Sequence, residues 1–240
     1  MKMFLDTCNV EAVRNAADTG LISGVTTNPT LAKKANRPDY RKMISEMCDI
    51  SGLESVSAQA REDQNADGMF REGIELDAIF PGKIAVKLPM NPHGLTAAKL
   101  LRRKKEIHTN ITLTFTPNQA LLAMEAKVTF ISYFMGRQED KIREKHGEDP
   151  KAPSEAESYA ISEIRRDLER MVSYKERYGS ESKILAASVR DFTHVTLAAD
   201  CGVDVISMPP EVFWDIFSDP LGLTEDGIKR FLKDREPLTS

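Results

Sequence analysis

The sequence predicts an α/β protein, a single (β/α)8 TIM barrel with a C-terminal helical extension. Three observations carry this. Eight short apolar or alternating segments recur between longer stretches with helical periodicity. The 240-residue length suits one barrel domain. The fold alternative is an open doubly wound sheet. No Gly-rich phosphate fingerprint follows the first strand, and no Walker-type loop occurs anywhere.

The elements follow in order. A strand at Met3–Leu5 ends at Asp6, and Asn9 caps a helix that stops at Gly20. Strand Leu21–Thr26 runs into Thr27-Asn28-Pro29, where Asn28 fits a cap and Pro29 a first helical turn. Asp39 caps a helix with the stripe Tyr40, Met43, Ile44 and Met47. Strand Ser55–Gln59 is followed by a helix from Met69 to Phe80. The fourth strand, Lys83–Leu88, stops at Pro89. Its helix carries Leu95, Ala98 and Leu101 and ends in the basic cluster Arg102–Lys105, a solvated helix end suited to the dipole. Strand Thr109–Phe115 alternates Asn110, Thr112 and Thr114 against Ile111, Leu113 and Phe115. Thr116-Pro117 opens the next helix, and strand Val128–Phe134 follows.

Gln138–Pro153, charged and broken by Gly147, Pro150 and Pro153, reads as a surface insertion. A capping box, Ser154 with Glu157, restarts order before the stripe Ile161, Ile164, Leu168, Met171 and Val172. Strand Lys183–Ser188, helix Phe192–Ala199, strand Val203–Met208 and an apolar helix around Val212–Phe217 complete the barrel. A last helix spans Glu225–Lys233. The expected organisation is thus one domain over residues 1–240.

The net charge of −4 is spread along the chain, so no basic face for nucleic acid is expected. Cys8, Cys48 and Cys201 are scattered without metal-ligand spacing and read as packed thiols in a reducing compartment. The chain opens on a strand rather than a leader, and no apolar run reaches membrane-spanning length. A soluble, cytoplasmic protein is expected.

The function reading centres on the fourth strand. Ile84, Val86 and Leu88 share one face, while Ala85 and Lys87 share the other. Lys87 is a snorkelling strand-end lysine or a desolvated amine poised for Schiff-base chemistry. Barrel catalysis occurs where the C-terminal strand ends ring one mouth. Those ends carry Asp6, Asn28, Gln59, Lys87, Asn110 with Thr112, Ser132, and Ser188. The ring holds one nucleophile and one carboxylate, with no histidine or acidic cluster, so no metal is expected; in Schiff-base chemistry at Lys87 the protonated imine is the electron sink, so no organic cofactor is needed either. His108 lies at the start of its strand, the wrong end for this mouth.

The segments Phe4-Leu5-Asp6, Gly24-Val25-Thr26-Thr27-Asn28-Pro29, Val86-Lys87-Leu88-Pro89, Asn110-Ile111-Thr112-Leu113, Phe134-Met135-Gly136-Arg137 and Ala187-Ser188-Val189-Arg190 resemble the transaldolase family, which includes the small fructose-6-phosphate aldolases. The match runs in order over nearly the whole chain. The resemblance implies a class I mechanism in which Lys87 forms a Schiff base with the ketose carbonyl and Asp6 moves the C4 hydroxyl proton. It implies that Asn28 and Asn110 bind substrate hydroxyls and help hold the lysine. Thr112 and Gln59 would hold a catalytic water, with Thr26, Ser132 and Phe134 lining the substrate site. Arg137, Ser188 and Arg190 would bind the terminal anion, a phosphate or a sulfonate. Rings of five and pairs of rings, built through the C-terminal helices, are implied as well.

Three departures from the family matter. Gln59 resembles the aldolase branch, whereas Phe134 resembles transaldolases. Tyr133 beside it should face the other way. The segment Met90-Asn91-Pro92-His93-Gly94 is less usual, and the 138–153 insertion is long for the small-aldolase branch. The expected activity is transfer of a dihydroxyacetone unit from a 6-phosphorylated or other 6-anionic ketose to an aldose, as in pentose phosphate metabolism. The alternatives are a lyase releasing dihydroxyacetone and a transaldolase for a 6-sulfo ketose. A non-catalytic sugar-phosphate-binding barrel is a further class.

Overall fold

Eight strands pair in chain order, all in parallel, and the last returns to the first to close a barrel. In this computed structural model the described residues are 1–60, 65–147 and 155–235. The strands are β1 (Lys2–Asp6), β2 (Ile22–Thr26), β3 (Ser55–Gln59), β4 (Ile84–Pro89), β5 (His108–Thr114), β6 (Phe130–Phe134), β7 (Lys183–Ala187) and β8 (Val205–Met208). Between them run α1 (Val10–Ala17), α2 (Pro29–Lys34), α3 (Tyr40–Cys48), α4 (Ala66–Asp77), α5 (Pro92–Lys105), α6 (Pro117–Glu125), α7 (Met135–Lys145), α8 (Glu155–Arg177) and α9 (Phe192–Asp200). Two helices, α10 (Pro210–Asp215) and α11 (Leu223–Arg235), end the chain.

Strand parity separates two apolar layers. Ile84, Val86 and Leu88 face the helices, within the large cluster between sheet and helix shell. Ala85 joins Phe4, Phe130, Leu185, Ala187 and Val205 inside the barrel. The Phe4 and Phe130 rings meet edge to face at 5.7 Å. Gly24 makes room for this floor, since a Cβ there would stand 2.6 Å from the Phe4 ring. Below the mouth the barrel is therefore plugged, and the polar strand-end residues gather above this floor.

The expected caps form. Asn9 accepts from the amides of Glu11 and Ala12, Asn28 from Leu31 at 2.9 Å, and Asp39 from Lys42 at 3.0 Å. Thr116 and Gln119 complete a capping box. The stripe Tyr40, Met43, Ile44 and Met47 is fully packed. All three cysteines are buried, and burial pushes each thiol up to about 11. Among the described residues no helix is long and apolar enough to cross a membrane.

Three local expectations are corrected. Gln138–Lys145 is not loop but most of α7, with Glu139 and Arg143 buried. Residues 148–154, including the Ser154 cap, lie outside the described residues. Strand β5 does not alternate to its end: Leu113 adopts φ 62° and the register with β6 shifts between Ile111 and Thr114. That bulge turns Thr114 to pair with Tyr133, off the face shared by Asn110 and Thr112. The helix containing Met69 ends at Asp77, which leaves Phe80 in the following turn.

The C-terminal helix is present and covers the expected 225–233. None of its residues is buried: Phe231 is 68% exposed and Leu232 58%. Trp214, Phe217, Leu221 and Leu223 add further exposed apolar surface nearby.

Candidate active site

Strand register brings the polar strand ends to one height. Asp6 pairs with Thr26, and Lys87 lies between Gln59 on β3 and Asn110 on β5. Above the plug a cavity of about 100 Å³ is lined by Asp6, Thr26, Asn28, Lys87, Ser132, Phe134, Arg137, Ala187 and Ser188. A larger hollow of about 670 Å³ opens at the opposite strand ends, with His108 on its wall. It holds neither Lys87 nor Asp6, so the chemistry belongs to the smaller cavity.

Lys87 is 4% exposed. Its Nζ donates to the Thr27 carbonyl at 3.3 Å and stands 5.9 Å from the centre of the Phe134 ring. Burial pushes its pKa down, Asp6 and Cys8 oppose this, and Arg137 pushes it down further. Burial in turn raises the Asp6 pKa, against the pull of Lys87, the Thr26 hydroxyl and Arg137. The two values thus move toward one another. A free amine becomes accessible nearer neutral pH, beside a carboxyl group able to take or give a proton.

The side chain of Asp6 is held by a chain of hydroxyls. Thr26 Oγ1 donates to Asp6 Oδ1 at 2.7 Å and lies 2.6 Å from Ser207 Oγ. Ser207 is a residue the strand-end reading missed. Its register partner on β1 is Phe4, an inward position, so parity alone could have found it. A second chain runs beside it: Ser132 Oγ donates to Asn110 Oδ1 at 2.7 Å, and Asn110 Nδ2 donates to Ser57 Oγ at 3.1 Å. Asn110 is fully buried and does not line the cavity.

The other candidates divide. Asn28 lines the cavity while its Oδ1 caps α2. Gln59 does not line the cavity. Its Nε2 donates to the Lys87 carbonyl at 3.1 Å, and it borders a neighbouring cleft of about 390 Å³. Thr112 is buried opposite Pro89, outside the cavity lining. Tyr133 faces outward, as alternation requires, and donates to Asp167 on α8.

On the β6–β7 side, Arg137 stacks 5.4 Å from the Phe134 ring and reaches the cavity with Ser188. Ser188 has φ 59° and its carbonyl accepts the Gly136 amide at 3.1 Å. A Cβ on Gly136 would fall 2.4 Å from that carbonyl oxygen and 2.7 Å from Arg190 Nε, so only glycine fits. Arg190 does not line the cavity; its guanidinium makes a two-pronged ion pair with Asp140 of α7.

The buried amine has a measurable cost. Because the folded-state pKa of Lys87 is lowered, the unfolded chain binds the extra proton between that value and the ordinary lysine range. Native stability should therefore rise with pH across that window. Lys87→Met should raise the melting temperature at neutral pH, with an advantage that shrinks as pH approaches 10. Thermal melts from pH 6 to 10 check this; a difference that does not depend on pH would contradict the desolvated amine.

The sequence profile of the Transaldolase/Fructose-6-phosphate aldolase family matches residues 3–239. A "Probable transaldolase" of Caulobacter vibrioides is 41% identical over 235 residues, covering 98% of this chain and 96% of its own. Another, from Geobacter sulfurreducens, is 41% identical over 240 residues, covering 98% of both chains. Among solved structures, a candidate fructose-1,6-biphosphate aldolase from Coccidioides immitis superposes with a TM-score of 0.54 at 12% identity. It covers 87% of this chain and 73% of its own, a likeness of fold alone. A closed parallel barrel with a buried lysine and a half-buried carboxylate at its mouth, matched end to end by that profile and these relatives, places the chain in the transaldolase/fructose-6-phosphate aldolase family.

Proposed function

We propose that the protein transfers a dihydroxyacetone unit from a 6-anionic ketose to an aldose through a Schiff base on Lys87. The observation that carries this reading is the buried Lys87 amine sharing a small cavity with the half-buried Asp6 carboxyl group. The Lys87 amine adds to the ketose C2 carbonyl, and loss of water leaves a protonated imine, the electron sink. Asp6 takes the C4 hydroxyl proton as the C3–C4 bond breaks; an aldose leaves and an enamine remains. The enamine then attacks the acceptor aldehyde while Asp6 returns the proton to the new hydroxyl, and water adds to the resulting imine to release the new ketose and free the Lys87 amine. Arg137 and Ser188, with Arg190 behind them, hold the terminal phosphate or sulfonate.

Transfer is favoured over cleavage by what lines the cavity. Phe134 offers no hydroxyl near Lys87, and Gln59 is turned to backbone carbonyls. Release of free dihydroxyacetone needs a proton delivered to the enamine carbon, and a water placed for that delivery lacks both of these partners. Cleavage to free dihydroxyacetone is the second reading, favoured by the amide at Gln59. Turnover of fructose 6-phosphate only when an aldose phosphate is present marks the transferase; turnover without it marks the lyase.

Borohydride with fructose 6-phosphate should leave a reduced dihydroxyacetone adduct on Lys87, absent from Lys87→Ala. Asp6→Asn should still form the imine while cleavage falls by about 10²–10⁴. An adduct that persists in Lys87→Ala would sink the mechanism. Ser207→Ala should leave imine formation intact but slow cleavage by roughly three- to tenfold, the worth of one buried hydrogen bond. Its acid limb should move to higher pH, because the loosened Thr26 hydroxyl no longer lowers the Asp6 pKa. An unshifted pH profile would make Ser207 merely a packing residue.

We infer further that the protein assembles with copies of itself through its C-terminal helices, and that it works in the cytoplasm. Ile228, Phe231 and Leu232 form an exposed stripe at helical spacing. Such a short helix is marginal alone in water. Light scattering of the full chain should give an oligomer, and removal of residues after Gly222 should reduce its size. A monomeric full-length protein would rule this out.

A further inference from the structure

The cation expected to grip the terminal anion is already occupied. Both prongs of the Arg190 guanidinium meet the Asp140 carboxylate, one helical turn beyond Arg137 on α7. Asp140 is not alone. Glu139 and Asp191 also act on the Arg190 charge, Asp191 as the cap that accepts the His194 amide. Behind them, Glu139 is buried, 3.1 Å from His194 Nε2 and 3.2 Å from Arg143 Nη1. Arg190 thus already has Asp140 on its fork, with Glu139 and Asp191 acting on its charge, before any ligand arrives.

A bidentate carboxylate on a guanidinium is the arrangement an incoming phosphate would itself adopt. A dianion approaching Arg190 must therefore displace Asp140 or share the cation with it. Sharing places three negative charges around one guanidinium, whereas an uncharged or singly charged end suffers less. The glycine contact makes simple avoidance difficult, since Gly136 sits against both the Ser188 carbonyl and Arg190 Nε.

We propose that Asp140 is a specificity-determining residue: by holding Arg190 it weakens the site for a dianionic terminal group relative to ends of lower charge. This rests on the reading of Arg137, Ser188 and Arg190 as the anion end of the ketose site. Asp140 touches no reacting atom; it acts through Arg190.

The test uses the full chain and borohydride trapping at Lys87. The half-saturating concentration of fructose 6-phosphate is measured relative to that of dihydroxyacetone, which offers the same carbonyl without an anion. Asp140→Asn should improve this ratio for fructose 6-phosphate about two- to tenfold, the range of one charge-assisted contact at a partly exposed site. Arg190→Ala should worsen it at least about tenfold. In the Arg190→Ala background, Asp140→Asn should add nothing, as expected for residues acting through one contact. Inhibition by inorganic phosphate is a second readout and should tighten in Asp140→Asn. Should that variant not fold, Asp140→Ser serves the same comparison. A ratio unmoved or worsened by removing the Asp140 carboxylate, while Arg190→Ala still worsens it, overturns the proposal and leaves the anion end standing. A ratio indifferent to Arg190→Ala removes the anion end itself, and the proposal with it.

Discussion

Taking an ammonium group out of water is costly unless it is paired or gives up its proton. The rest of the mouth is arranged around that constraint at Lys87. The inward face of β4 has only Ala85 beneath it, and the Phe4–Phe130 floor closes the barrel below. Water has little room there, so the amine is held by one carbonyl, one aromatic face and the field of Asp6. Asp6 is subject to the same desolvation with the opposite sign. Each group makes the other's charged form tolerable, and neither is fully stabilised in it. A pair of this kind can exchange protons with a substrate, because its charged and neutral states lie closer in free energy than they would in water.

The hydroxyl chains keep that pair in place. Thr26 links Asp6 on β1 to Ser207 on β8 across the seam where the barrel closes. Ser132 and Asn110 link β6 to β5, and Ser57 carries the chain on to β3. Side chains on adjacent and next-but-one strands thus hold one another in fixed rotamers. Geometry at the mouth is set by the sheet rather than by mobile loops, and positioning within about 0.5 Å is what such chemistry demands.

Most of this was legible because barrels obey short-range rules. Alternation alone put Lys87 opposite Ile84, Val86 and Leu88, and cap chemistry located the starts of α1, α2, α3 and α6. The same alternation failed at Leu113, whose positive φ is imposed by a bulge that no Gly or Asn announced. The stretch of α7 from Gln138 onward reads as part of a charged insertion because its buried face is itself charged: Glu139 packs inward between Arg143 and His194. Partners that remote in sequence leave no local periodicity. Arg190 and Asp140, 50 residues apart, are another case. Nor could sequence spacing show that Gln59 turns toward backbone or that Asn110 lies behind the cavity wall.

The contact at Gly136 has a consequence for how this site can change. Its amide is bonded to the Ser188 carbonyl, and its missing side chain lets that carbonyl and the Arg190 side chain lie against the start of α7. The start of α7, which carries Arg137, and the loop after β7, which carries Ser188 and Arg190, are therefore welded into one unit. Substitutions on either side will not be independent, because each shifts the frame in which the other is read. Retuning the far end of the substrate would require concerted replacement on both sides of this weld.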